Sequence, residues 1–367
     1  MSVPDPAAAG HTRLLQRAGS AVVEAREAIA ARLVEKEFQA HPELLQRYGA
    51  QGRVKSLEDA GYHLRYLAEA LASENHQFFV DYVGWAKILL AKHGVRAEDL
   101  LFHLQCMQEA VSDLVAPDLA AEATRIIAQA MAEFPALPED IETFIDPSKP
   151  HAALAHHYLQ SLLRGERQHA SRLILESVAD GIGVREIYLH VFQPSQYEIG
   201  RLWQTRQISV AQEHYCTAAT QLIMSQLYPY IFATEKSGGR LVATCVSGDL
   251  HELGVRMVAD FFEIAGWDTY FLGANTPIPA VVQAVIERKA TVLGISATIT
   301  YNVRAVVEMI AAVRASPACA GVRILVGGYP FNLDPELWRK VGADGHARDA
   351  DAAIALAQSL THLDSIR

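Results

Sequence analysis

Residues 241–264 restrict this chain to few folds. An apolar run, 241–246, leads into the polar turn Ser247-Gly248-Asp249-Leu250-His251-Glu252, and an amphipathic run follows over 255–264. Strand, polar turn and helix in that order place polar side chains at the carboxyl edge of a parallel sheet. The pattern recurs twice: the apolar run 291–295 leads into Ser296-Ala297-Thr298, and 322–326 leads into Gly327-Gly328. Further β-like runs lie near 268–272 and 344–347. Helical runs fill 252–265, 279–288, 302–315 and 335–340, and another follows Asp349. Such alternation predicts a doubly wound parallel sheet over 238–367, a flavodoxin-like α/β domain with all three polar signals on one edge.

Within the first turn, Asp249 and His251 stand two apart and Gly254 opens the helix. A loop imidazole can offer one nitrogen to a metal while a carboxylate fixes the other. A satisfied loop histidine beside a helix-capping aspartate explains three residues equally well. The spacing adds the information: 41 residues separate Gly254 from Ser296, and 28 separate Thr298 from Gly327. Asp-x-His-x-x-Gly, Ser-x-Leu and Gly-Gly at these intervals resemble the cobalamin-binding domain of corrinoid proteins. The resemblance implies that His251 is the lower axial ligand to cobalt and Asp249 its partner. It also places Ser296, Gly254, Gly327 and Gly328 around the cofactor's nucleotide tail. Thr298 departs from the family's leucine, which puts the packing around that tail in question but not the ligand.

Upstream, 151–230 reads as four helices broken at Arg164-Gly165, at 181–183 and at 205–208, the size of a small bundle. A flexible linker, 234–239, separates it from the sheet. Ser209 and Gln212 form a capping box that sets Glu213 and His214 in the first turn of the last bundle helix, with nine residues between Trp203 and Glu213. Singly, Trp203 fits a core and Glu213 a solvated helix start. Together, Trp-x9-Glu-His resembles the bundle of the adenosylcobalamin light sensors that repress carotenoid genes. There the tryptophan covers the upper axial group and the Glu-His pair contacts the adenosyl moiety. The histidine that follows the tryptophan in that family is Gln204 here, so recapture of cobalt after photolysis is in question.

Residues 1–148 predict an acidic, all-helical domain, bounded by the Pro-rich connector at 134–150. Its helices are expected over 13–37, 57–71 (capped by Ser56, with Asp59 in the first turn), 74–92, 97–114 and 118–134. Residues 1–150 hold 14 Lys and Arg against 22 Asp and Glu, so no basic face for nucleic acid is visible. Many aromatics and histidines fall here, among them Tyr66, Trp85 and His103. They fit an ordinary helical core, or a slot for a flat conjugated ligand. A helical domain beside a cobalamin module resembles the photocobilins, which implies a bilin such as biliverdin near these three residues.

The whole chain has 367 residues, half of them hydrophobic, with net charge −10. That suits two or three domains with real cores, and only the first ten or so residues look disordered. No apolar run approaches the roughly 18 residues of a membrane span, and no signal-peptide layout opens the sequence. Four scattered cysteines, Cys106, Cys216, Cys245 and Cys319, suit reduced buried thiols of a cytoplasmic protein. The division expected is 1–148, the bundle at 149–235 and the sheet domain at 238–367. The function expected is an adenosylcobalamin photoreceptor and not an enzyme, acting on a signalling partner and able to self-associate, with a bilin as second chromophore. The alternative is a corrinoid methyl carrier of a methyltransferase system. A radical mutase would need a barrel for which the chain has no room.

Overall fold

The computed structural model describes residues 6–232, 235–236 and 238–362. Residues before Pro6, and Thr234 and Ser237 of the expected linker, lie outside the described residues. Two compact units divide between Asp140 and Ile141, inside the Pro-rich connector.

The first unit is six helices: α1 (Pro6–Glu24), α2 (Arg26–Ala40), α3 (Glu43–Ala72), α4 (Gln77–Lys92), α5 (Ala97–Leu114) and α6 (Pro117–Glu133). Three expectations are corrected. The run 13–37 is two helices meeting at Ala25, without a Gly or Pro to announce it. Tertiary packing sets that break: α1 lies on α3 and α6, whereas α2 lies on α3 and α5. Ser56 is no N-cap, nor does Asp59 start a helix, because α3 already runs from Glu43 and bends at Gly49 (φ 68°, ψ −177°). The Ser56 hydroxyl instead donates to Glu37 Oε2 at 2.6 Å. Helix also begins at Pro6, inside the stretch expected to be disordered.

The second unit opens with a bundle: α7 (Ala152–Leu163), α8 (Arg167–Ala179), a long third helix and α11 (Val210–Gln226). The third helix is α9 (Val184–Ile187), a π-helical turn (Tyr188–Phe192) and α10 (Gln193–Gln204) in continuous succession. The capping box forms as the spacing predicts, Gln212 N–H donating to Ser209 Oγ at 3.2 Å. A short α12 (Tyr228–Ile231) ends the bundle.

Five parallel strands follow in the order β2-β1-β3-β4-β5: β1 (Arg240–Cys245), β2 (Asp268–Gly273), β3 (Val292–Ser296), β4 (Arg323–Gly327) and β5 (Gly345–His346). This is the flavodoxin-like doubly wound order. The helices between and after them are α13 (Leu253–Ile264), α14 (Ile278–Glu287), α15 (Val303–Ala315), α16 (Tyr329–Leu333), α17 (Leu337–Val341) and α18 (Ala350–His362). The sequence pattern did not announce α16. Helix α13 buries Val255, Ala259 and Phe262, an i, i+4, i+7 stripe. That stripe joins Tyr158, Tyr188 and Phe192 of the bundle and Leu241 of β1 in one hydrophobic core. Through this shared core the bundle and the sheet lie in one compact unit. All four cysteines are buried free thiols, and no described helix is long and apolar enough to cross a membrane.

Candidate functional site

Strand β1 lies between β2 and β3, so the loops leaving β1 and β3 part company at their carboxyl ends. That switch point is where open α/β sheets hold ligands. The loop after β1 carries Asp249 and His251, and the carboxylate is 1 % exposed. Asp249 Oδ2 accepts the Thr298 N–H at 2.6 Å and the Ile299 N–H at 3.4 Å, both from the loop after β3. Its Oδ1 accepts the His251 N–H at 3.0 Å and His251 Nδ1 at 2.8 Å. Burial opposes the Asp249 charge, yet these hydrogen bonds hold the carboxyl below its ordinary value. The hydrogen bond to Asp249 raises the His251 pKa; burial works against it, and the charges of Asp249 and Glu213 add to it. A carboxylate can only accept, so Nδ1 carries a proton, and in the neutral ring the lone pair is on Nε2. The His251 side chain is 58 % exposed, which leaves Nε2 available to a ligand.

The two glycines differ in role. Gly328 adopts φ +102°, and a Cβ there would lie 2.0 Å from the Ala297 carbonyl oxygen; only glycine lets the β4 loop pass the β3 loop so closely. Gly327 pairs with Ser296 across β3 and β4, and a Cβ there would make ordinary contact. Ser296 ends β3, its carbonyl accepting the Val246 N–H at 3.2 Å. Thr298 meets Asp249 through its backbone, so threonine in place of leucine leaves that bond intact. A Cβ on Gly254 would meet nothing within 4 Å, so the protein's own packing does not require glycine there.

On the bundle, Trp203 is partly buried near the end of α10. Glu213 bonds His214 Nδ1 at 2.5 Å and Thr217 Oγ1 at 2.9 Å, and His214 stands 75 % exposed. Glu213 and His251 thus share one electrostatic neighbourhood. Gln204 is buried, so it is Trp203 and not its successor that reaches the surface of this turn.

In the first unit, Tyr66 stacks on Tyr82 with ring centroids 3.6 Å apart, and Trp85 lies beyond Tyr82 at 6.1 Å. His103 is not part of that stack. It sits 5.0 Å behind His63, with its Nδ1 3.3 Å from the Glu37 carboxylate. His63 Nδ1 meets the Tyr82 hydroxyl at 2.8 Å, while the Nε2 atoms of both histidines are buried without a hydrogen-bond partner.

Two residues at the sheet edge escaped the sequence reading. Asn302 is buried beside Gly248 with its Nδ2 unpartnered. Glu252 spans from the histidine loop to α11 through Gln221, at 2.8 Å. Asn302 stands at the N-cap position before α15, the one signal that could have marked it; glutamate is no capping residue, so nothing local marked Glu252 before α13.

Among the described residues, no three His, Cys, Asp or Glu side chains converge where a metal ion could be held. One imidazole on an exposed loop therefore suits a metal that brings most of its ligands with it. The comparisons with known proteins agree. Residues 239–355 match the family model described as B12 binding domain, and 154–228 match a second B12 binding domain model. A dimethylamine corrinoid protein of Methanosarcina mazei is 32 % identical over 129 residues, 35 % of this chain and 59 % of that protein. A corrinoid protein of Desulfitobacterium hafniense is 23 % identical over 206 residues, 55 % of this chain and 94 % of that protein. The chain thus spans under two thirds of the length of the first relatives it matches. The structure of a monomethylamine corrinoid protein of Methanosarcina barkeri shares the fold, with a TM-score of 0.51 at 19 % identity, over 57 % of this chain and 99 % of that one. The residues fit such a cofactor: a free Nε2, open space at Gly254, and the orphaned Asn302 amide at the edge where the tail would lie.

Proposed function

We propose that this chain, a cobalamin-binding protein by its two B12-binding domains, is a corrinoid carrier that presents a cobalt-bound methyl group to a methyltransferase partner. The observation that carries the reading is the His251–Asp249 pair, 2.8 Å apart at the sheet's switch point, in a chain whose curated relatives are corrinoid proteins of methylamine systems. Cobalamin supplies a cobalt centre able to hold and release an alkyl group. Of this chain's residues, His251 Nε2 would hold the cobalt, with Asp249 keeping the proton on Nδ1 and strengthening the donor. Ser296, Thr298, Gly327, Gly328 and Gly254 would line the slot for the nucleotide tail. In this role the chain carries the group and the partner performs the catalysis.

A second reading, an adenosylcobalamin light sensor, is supported by Trp203, Glu213 and His214 at the bundle turn and by the charge of Glu213 near His251. In that reading Trp203 would pack on the cofactor and the Glu-His pair would recognise the adenosyl group. The Tyr66–Tyr82–Trp85 stack and the two unpartnered histidine nitrogens would then favour a bilin such as biliverdin in the first unit. One experiment separates the two: titration of the chain with methylcobalamin and adenosylcobalamin, in darkness and after illumination. Equal or better binding of methylcobalamin, with light leaving the protein's size and shape unchanged, is the carrier's outcome. A preference for adenosylcobalamin that Trp203→Ala removes, with a light-driven change of shape, would replace it with the sensor. A long-wavelength band after co-production with biliverdin would establish the second chromophore.

A further inference from the structure

Glu252 follows the histidine directly, and its carboxylate joins three segments. Oε1 accepts from Gln221 Nε2 of α11 at 2.8 Å, and Oε2 accepts the Ala274 N–H just past β2, also at 2.8 Å. Gly273 has φ +81°, and a Cβ there would stand 2.9 Å from Oε2, so the neighbouring backbone leaves room for this carboxylate. One turn further along both helices, Arg256 Nη2 donates to Ser225 Oγ at 2.7 Å and to the Tyr228 hydroxyl at 3.2 Å. The α11–α13 seam is therefore a polar ladder with rungs four residues apart. Elsewhere the bundle meets α13 through a buried patch in which Tyr188 lies 6.1 Å from Phe261 and donates to Asp260 Oδ2 at 2.9 Å. The ladder is only partly buried, so water can take over its hydrogen bonds at small net cost, whereas parting the buried Tyr188–Phe261 contact exposes apolar surface.

We propose that the Gln221–Glu252 hydrogen bond is a latch, and that Glu252 is a positioning residue tying the docking of the bundle to the placement of the His251 loop. It deepens the corrinoid reading and rests on it for the consequence that releasing Gln221 both loosens the loop and opens the cleft between bundle and sheet. Because Ala274 N–H needs an acceptor, a glutamine at 252 has one favoured orientation, with its oxygen toward Ala274 and its amide nitrogen toward position 221. The bond can therefore be reversed.

The test is hydrogen exchange on the full chain for the parent, for Gln221→Glu, and for Gln221→Glu combined with Glu252→Gln. Gln221→Glu sets two carboxylates face to face and should speed amide exchange over 249–256 about tenfold. The reciprocal pair should restore it to within about threefold of the parent, since the amide now at position 252 donates to the carboxylate now at position 221. Release of bound cobalamin should follow the same order, fast in the single variant and slow again in the pair. No acceleration in the single variant, or acceleration that the reciprocal pair leaves in place, overturns the latch. If the parent retains no cobalamin, the corrinoid reading fails while the exchange result still decides the latch. If cobalamin is retained and released at one rate by all three, the link between latch and site is overturned.

Discussion

In the corrinoid reading His251 would be the loop's ligand to cobalt. His251→Ala should lose the histidine-bound absorption spectrum of added cobalamin. Asp249→Ala should weaken cobalamin retention by about 10- to 100-fold, as loss of such an orienting partner does. An unchanged spectrum in His251→Ala would end the ligand assignment. The glycines give a contrast that tests whether each faces cofactor or protein. Gly328→Ala drives a Cβ into the Ala297 carbonyl at positive φ and should cost about 3 kcal/mol or more, read as a fall in Tm without cofactor. Gly254→Ala meets open space and should hold or gain up to about 1 kcal/mol of helix stability, yet lower cobalamin uptake. Asp249, His251 and the glycines were legible because they stand at fixed distances in the sequence. Asn302 and Glu252 were not, because their meaning lies in partners far along the chain: Gly248 for one, Gln221 for the other.

Among the elements of the sheet domain, the strands and every helix but α16 were read to within a residue or two, since each apolar run ends at a turn of Gly, Ser or Asp. The first unit was harder. Nothing local marks the break at Ala25 or keeps α3 running through Ser56; the choice of packing partner decides both. The buried hydrogen bond between α13 and the π-helical turn has a pH signature of its own. Tyr188 donates to Asp260 Oδ2 at 2.9 Å, and burial, only partly offset by that bond, pushes the Asp260 carboxyl up to about 6. The folded state then binds a proton that the unfolded chain has already released. Stability is lost as pH rises from about 4 through 6, by up to roughly 3 kcal/mol. Asp260→Asn keeps an acceptor for Tyr188 and removes the charge. It should raise Tm at pH 7.5 and leave it nearly unchanged at pH 4; an equal shift at both would refute the linkage.

For the molecule as a whole, both matched segments and their shared core lie beyond residue 140, so a chain of residues 141–367 should fold and bind cobalamin by itself. Failure to do so, read by circular dichroism and the cobalamin spectrum, would make the first unit part of the cofactor's support. The two units divide inside the Pro-rich connector, which the sequence shows, whereas the core shared by bundle and sheet leaves no local mark. The manner in which Asp249 is held has a wider consequence. Three of its hydrogen bonds come from main-chain N–H groups, at His251, Thr298 and Ile299. Every residue except proline supplies that donor, so the side chains at 298 and 299 can drift without disturbing the charge behind the histidine. The site is thereby buffered against mutation, and its essential alphabet shrinks to a few letters. Distant chains can therefore keep one chemistry while the rest of their sequence diverges.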